Sequence, residues 1–210
     1  HFAVDLNSGE LTNFKVIGDT IQFKLLSLQA HDHQTKLEVK SLRTFFRISQ
    51  ASLEFLDLHL EAGRSKITDS VVFTYKRMRD LNDFNNKVTI AARLKKSLIH
   101  HEDLALFAPG SEVIGKPMLL SGTISGRVKR LIYKNMDAHF GSTSLAGWLE
   151  MDGLPAFNET FIQLSLTRSA IDIDDFRFAF KDAVFSRLKP LDKFQLAGTF
   201  TGFVNDFVAN

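Results

Sequence analysis

The stretch ASLEFLDLHL, residues 51–60, alternates apolar and polar side chains in two phases: Leu53 and Phe55 flank Glu54, then Leu56, Leu58 and Leu60 flank Asp57 and His59. Each half reads as a strand with one buried and one wet face. A one-residue slip inside a strand would throw its apolar set onto the wrong face, so the change of phase predicts a β-bulge near Phe55.

The same period of two extends outward in both directions. Upstream, Ile21, Phe23 and Leu25 alternate with Gln22 and Lys24. Downstream, Val71, Phe73 and Tyr75 alternate with Val72 and Thr74, and Val88, Ile90, Ala92 and Leu94 with Lys87, Thr89 and Arg93. Ile162, Leu164 and Leu166 alternate with Gln163, Ser165 and Thr167, and Phe176, Phe178 and Phe180 with Arg177 and Ala179. About a dozen strands are expected on this pattern. Helical signals are short: residues 79–87 with Asp and Asn at cap-like positions, residues 181–189 as about two turns, and one further turn at SEVIGK after Pro109-Gly110. The four prolines, Pro109, Pro117, Pro155 and Pro190, all fall near expected turns, which leaves most strands uninterrupted. No low-complexity linker divides the chain, and residues 1–210 read as one β-rich segment.

At 210 residues the chain is long enough to bury a core of its own. Its aromatic set is lopsided, with 20 Phe against 2 Tyr and 1 Trp. Tyr and Trp carry polar handles suited to wet interfaces, whereas Phe offers only an apolar face, so the buried surface is expected to be apolar throughout. The absence of Cys excludes disulfide frameworks, thiolate nucleophiles and Cys-based metal sites. A formal charge of +2 is too small to argue for a nucleic-acid partner. No run of about 18 apolar residues and no signal peptide is present. The start at His1 and the strand-like ending FTGFVNDFVAN are expected of a piece of a longer repeating chain.

Polar clusters give little chemistry. His31-Asp32-His33 and His100-His101 sit in stretches expected to be polar turns, without the convergent spacing of a metal site. Asp172 and Asp174 alternate with Ile171 and Ile173, which predicts an outward strand face whose charge discourages edge pairing. No phosphate loop or nucleophile elbow is present, and Asn158-Glu159-Thr160 fits a glycosylation acceptor by a match of only three residues. Neither an enzyme nor a cofactor is expected. Basic stretches at Lys76-Arg77 with Arg79, Arg93 with Lys95-Lys96, and Arg127 with Lys129-Arg130 and Lys134 read as solvated faces or as contacts for anionic headgroups or an acidic partner.

One internal repeat is visible. LSGTISGRVKRLIY from Leu120 and LAGTFTGFVNDFVA from Leu196 match at five of fourteen positions, 76 residues apart: Leu120 with Leu196, Gly122 with Gly198, Thr123 with Thr199, Gly126 with Gly202, and Val128 with Val204. Repeated supersecondary units bury their apolar faces against neighbours. A dozen amphipathic strands can hide those faces in a barrel, a two-sheet sandwich or a single curved sheet with an apolar concave side. The repeat, the scarcity of helix and the Phe-only aromatic set favour the curved sheet.

Residues 67–109 and 119–166 resemble the repeating region of the TamB family, within the wider AsmA-like group, most tellingly in LSGTISGRVKRL followed by a strand ending at Phe140-Gly141, and in Gly153-Leu154-Pro155 followed by Asn158 to Ile162. The resemblance extends over about Ser52 to Asn210 and includes no catalytic motif. It implies an elongated, U-shaped or taco-like β-sheet in the periplasm of Gram-negative cells, belonging to a parent chain anchored in the inner membrane. The parent would carry phospholipid toward the outer membrane and, with an Omp85-class, TamA-like outer-membrane partner, serve outer-membrane biogenesis as part of a translocation and assembly module. On that reading Ile21, Phe23, Val71, Phe73, Val88, Ile90, Leu120, Ile124, Val128, Ile162, Leu164, Leu166 and Phe200 would line a groove for acyl chains. The alternative is a scaffold that binds outer-membrane protein clients by β-augmentation.

Overall fold

In a computed structural model all but one of the alternating stretches form strands; the structure describes residues 4–33, 35–156, 159–203 and 206–209. Asn158 of the glycosylation match and Val204 of the repeat lie outside the described residues. Residue packing divides the chain into two compact units, the first holding His1–Leu98 with Ile124–Val128 and the second Ile99–Thr123 with Lys129–Asn210.

The first unit contains β1 (Val4–Ile17), β2 (Thr20–Asp32), β3 (Glu38–Ile48), β4 (Ser52–Ala62), β5 (Ser65–Thr74) and all but the last residue of β6 (Thr89–Ile99). Between β5 and β6 lie a 3-10 turn, Met78–Asp83, and the short helix α1 (Phe84–Lys87). The next strand, β7 (Met118–Arg127), gives residues 124–127 to the first unit and 118–123 to the second. The second unit continues with β8 (Arg130–Phe140), β9 (Thr143–Asp152), β10 (Phe161–Asp172), β11 (Lys193–Phe203) and β12 (Asp206–Ala209). Helix α2 (His101–Ala105) precedes β7, and α3 (Asp182–Leu188) connects β10 to β11.

Within each unit the strands run antiparallel and pair with their neighbours in the chain, and among the described residues the sheet does not close on itself. The fold is therefore all-β, an open curved sheet with short connector helices, as the alternation leads one to expect. The curvature has local causes. Register shifts interrupt most of the ladders, and several coincide with a residue of positive φ: Asn13 in β1, Asp57 in β4, Asp69 in β5 and Asn135 in β8. Each extra residue bends its strand and steepens the twist.

The expected bulge in ASLEFLDLHL is present. The β4–β5 register shifts between Phe55 and Leu58, where Asp57 takes φ 50°. Left-handed backbone costs an ordinary L-residue about 1–2 kcal/mol and is least costly for Gly, Asn and Asp. Asp57→Val is accordingly expected to lower stability by about 1–2 kcal/mol, with Asp57→Gly leaving it unchanged or higher, measured as a pair by urea unfolding.

Three expectations fail here. Residues 176, 178 and 180 are not an alternating strand: Ile173–Ala179 is a 3-10 helix, capped by the Asp172 side chain accepting the Asp174 N–H at 3.0 Å. Asp172 and Asp174 thus do not share a strand face; one caps this helix and the other pairs with Lys189 on the connection. His101 likewise begins α2 instead of lying in a plain turn.

Candidate functional site

In the first unit, cross-strand pairing sorts the side chains into rows, because directly opposed residues of neighbouring strands share a face. One row reads Val16, Ile21, Ile48, Leu53, Phe73 and Ile90 from β1 to β6. The next row on the same face reads Phe23, Phe46, Phe55, Val71 and Ala92. The row between them, on the opposite face, reads Gln22, Arg47, Glu54, Val72 and Ala91, and Arg47 Nη2 lies 2.7 Å from Glu54 Oε2. One face is thus hydrocarbon across six strands while the other carries an ion pair.

The phenylalanines of the apolar face touch in series. Ring centroids are 6.4 Å apart for Phe14 and Phe23, 4.8 Å for Phe23 and Phe46, 5.3 Å for Phe46 and Phe55, 6.3 Å for Phe55 and Phe73, and 5.2 Å for Phe73 and Phe84 of α1. Six rings form one continuous ladder, each contact contributing about 0.5–1.5 kcal/mol beyond its area. The ladder stays accessible: Phe14 is 58 % exposed and Ile21 38 %, and Phe23, Phe46, Phe55 and Phe73 are all only half-buried.

The second unit packs a connection against its apolar face. The row Tyr133, Leu149, Leu164 and Phe200 crosses β8 to β11 beside Leu131, Met151, Ile162 and Gly202. Over this face folds the β10–β11 connection, bringing Phe176, Phe178 and Phe180 from the 3-10 helix and its end, and Leu188 and Leu191 from α3 and the turn after it. Between sheet and connection is a cavity of about 350 Å³ whose lining is apolar almost throughout. Its size falls within the range of ordinary ligand sites, but it lacks the few placed polar groups by which such sites orient a polar ligand.

Two buried polar anchors hold this arrangement. Tyr133, buried in β8, donates its hydroxyl to the Ser121 carbonyl of β7 at 2.8 Å. Gly122 makes room for that ring, since a Cβ there would sit 2.7 Å from Tyr133 Cε2 and 2.6 Å from the Asn135 carbonyl. Burial pushes the Tyr133 hydroxyl up to about 12, with the Asp137 carboxylate adding to the rise. Spectrophotometric titration is expected to show one tyrosine ionising near this value, and Tyr133→Phe to remove that step and cost about 1 kcal/mol for the lost hydrogen bond.

The second anchor is Asp175. Its carboxylate is buried, pairs with Lys116 and accepts the Ser142 N–H at 2.8 Å. It therefore ties together the segment before β7, the β8–β9 turn and the 3-10 helix that covers the cavity.

Of the thirteen positions expected to line a groove, Ile21, Phe23, Val71, Phe73 and Ile90 share the open face of the first unit. Ile162, Leu164, Leu166 and Phe200 line the cavity of the second. Leu120 and Ile124 are half-buried in β7, one in each unit. Val88 and Val128 lie elsewhere: Val88 is fully buried where α1 ends, its N–H bonded to the Phe84 carbonyl, and Val128 sits in the tight turn between β7 and β8. The expected groove positions leave out Phe14, Phe46, Phe55 and Phe84 of the ladder, together with Phe176, Phe178, Leu188 and Leu191 of the cavity cover; of these Phe55, Phe176 and Phe178 stand in alternating stretches. An Asp before an acidic first turn, as in Asp172-Ile173-Asp174-Asp175, is the helix-start signal that could have placed the cover.

The described residues contain no cluster of three or more His, Asp or Glu able to hold a metal ion. His33 Nε2 lies 2.7 Å from Asp5 Oδ2, and His31 packs edge-on against His33, a local pair at the β1–β2 ladder end. No helix among the described residues is long and apolar enough to cross a membrane. Compared with known proteins, the chain matches no family model, no curated protein and no solved structure.

Proposed function

We propose that this chain is a non-enzymatic, periplasmic segment of a TamB-like protein of the AsmA-like group, whose apolar sheet faces carry phospholipid acyl chains between the inner and outer membranes in outer-membrane biogenesis. The observation that supports it best is the unbroken phenylalanine ladder from Phe14 to Phe84, accessible along its length, on strands whose opposite face carries the Arg47–Glu54 ion pair. Burying acyl methylenes against such a face gains about 25 cal/mol per Å², and the lack of directional polar contacts leaves the chain free to slide. The apolar cavity of the second unit extends the same chemistry. Anchoring in the inner membrane and docking on an Omp85-class, TamA-like partner would belong to other parts of the parent protein. Native mass spectrometry of the chain purified from Gram-negative cells without added lipid is expected to show bound phospholipid. Protein that emerges empty, and stays empty after incubation with phospholipid vesicles, overturns the reading.

A second reading is favoured by one specific observation. Among the described residues strand β1 pairs with β2 and bears exposed Leu6, Leu11, Phe14, Val16 and Ile17, apolar side chains against which a client strand can pack. Photocrosslinkers at Phe46 and at Val16 separate the two: lipid adducts at Phe46 support the conduit, and protein adducts concentrated at Val16 support β-augmentation.

A further inference from the structure

Where β5 ends and β6 begins, the chain builds a second concavity of opposite character. A pocket of about 620 Å³ is lined by Thr74, Lys76, Arg77, Arg79, Lys87 and Arg127, with Tyr75, Asp80, Asn86 and Thr89. Five cations face it. Of the two carboxylates nearby, Asp80 is buried and accepts the Arg77 N–H at 3.0 Å, and Asp83 pairs with Lys87 at 3.2 Å. Among the described residues Lys76, Arg79 and Arg127 make no ion pair, and all three are exposed. The cations come from separated parts of the sequence, the 76–79 turn, α1 and the end of β7, so their convergence is a product of the fold and not of one basic run. The hydroxyls of Thr74 and Thr89, opposed in the β5–β6 ladder, add donors between them.

We infer that this pocket is a binding site for a phosphate group. Guanidinium forks match phosphate oxygens bidentately, and a concave cluster with only one inward carboxylate, already bonded to the backbone, concentrates anions at short range. The phosphate belongs either to a phospholipid headgroup or to a small soluble phosphate, and the site stands independently of what the phenylalanine ladder carries.

The test uses the full chain and the double variant Arg79→Gln/Arg127→Gln, which removes two unpaired, exposed cations and is expected to melt as the parent does. Titration with inorganic phosphate, against chloride at matched ionic strength, is followed by calorimetry; flotation is followed with vesicles of equal parts phosphatidylglycerol and phosphatidylcholine, and with phosphatidylcholine alone. The parent is expected to bind at least one phosphate-bearing probe, more weakly as salt rises, and the double variant to bind it at least about tenfold more weakly. Inorganic phosphate that binds and competes with the anionic vesicles supports the site with either source. Vesicle binding without free-phosphate binding assigns the headgroup, and free-phosphate binding alone assigns a soluble ligand. Equal binding by parent and variant on every probe, or no binding by the parent, overturns the inference. Protein that retains acyl chains by mass spectrometry but ignores these charge changes would sink the phosphate site and leave the lipid reading standing.

Discussion

Asp175→Ala is expected to destabilise the second unit by about 3 kcal/mol, at the low end of the cost of removing one partner of a buried ion pair. The low end applies because Lys116, with 40 % of its side chain exposed, can turn to water once released, whereas Asp175 has only 3 % exposed. The remaining cost is structural. The Ser142 N–H loses its acceptor, and Gly141, where a Cβ would lie 2.1 Å from Asp175 Oδ1, is left facing a void. The pH dependence has a definite sign. Burial by itself raises the Asp175 carboxyl, but hydrogen bonds from Lys116, Thr143 and the Ser142 amide, with the Lys116 charge, outweigh it and hold the group below the usual carboxylate range. A carboxyl depressed in the folded state contributes stability that is present above its unfolded value near 4 and is lost as pH falls through the folded value. The difference in melting temperature between parent and Asp175→Ala is therefore expected to be full at neutral pH and to shrink below about pH 4. A difference that stays constant down to pH 2 would mean that the carboxylate charge contributes nothing.

The strands of this protein are legible because each hides one face, and a buried face writes period-two alternation into the sequence. The bulge at Asp57 is legible for the same reason, since the slip it absorbs appears as a change of phase from Phe55 to Leu58. What alternation does not encode is register. That Phe46 opposes both Phe23 and Phe55 depends on hairpin turns and bulges many residues away, so the ladder could not be read from any single segment. Ile171 to Phe180 misleads in the opposite direction. Its apolar residues recur at every second position in two runs, Ile171 with Ile173 and Phe176 to Phe180, as in a strand, yet Asp172 caps a helix and the buried Asp175 fixes the next turn against Lys116, so that tertiary contacts override the local pattern. The consequence is functional. The second apolar face is partly covered by its own connection, which lines a half-open cavity with it, while the β5–β6 connection of the first contributes only Phe84 to the ladder. Val88 shows the limit of face assignment at a strand's margin: it keeps the phase of Ile90 and Ala92 but is sealed where α1 meets β6.

If the ladder carries acyl chains, one carboxylate at its middle should close it. Phe46 is the position to use, because it contacts rings on both sides, Phe23 at 4.8 Å and Phe55 at 5.3 Å, and is only half-buried, so that a substituted Asp can hydrate whenever no lipid is present. Phe46→Asp is therefore expected to fold, at the cost of two ring contacts, each about 0.5–1.5 kcal/mol. An acyl chain laid across it would have to strip that carboxylate of water, and an acidic side chain in hydrocarbon costs about 3 kcal/mol, on the order of a hundredfold in occupancy. Phe46→Leu keeps the face apolar and is expected to retain phospholipid within about twofold, since the contact gives no directional bond to lose. Gln22→Asp supplies the control for charge alone: it lies on the opposite face, directly across from Arg47, where an added carboxylate is expected to leave lipid occupancy unchanged. Quantitative native mass spectrometry of the three variants, with circular dichroism to confirm the fold of each, discriminates the outcomes. Loss in Phe46→Asp alone supports acyl chains moving on the phenylalanine face. Equal phospholipid in all three places the lipid elsewhere than on the phenylalanine ladder.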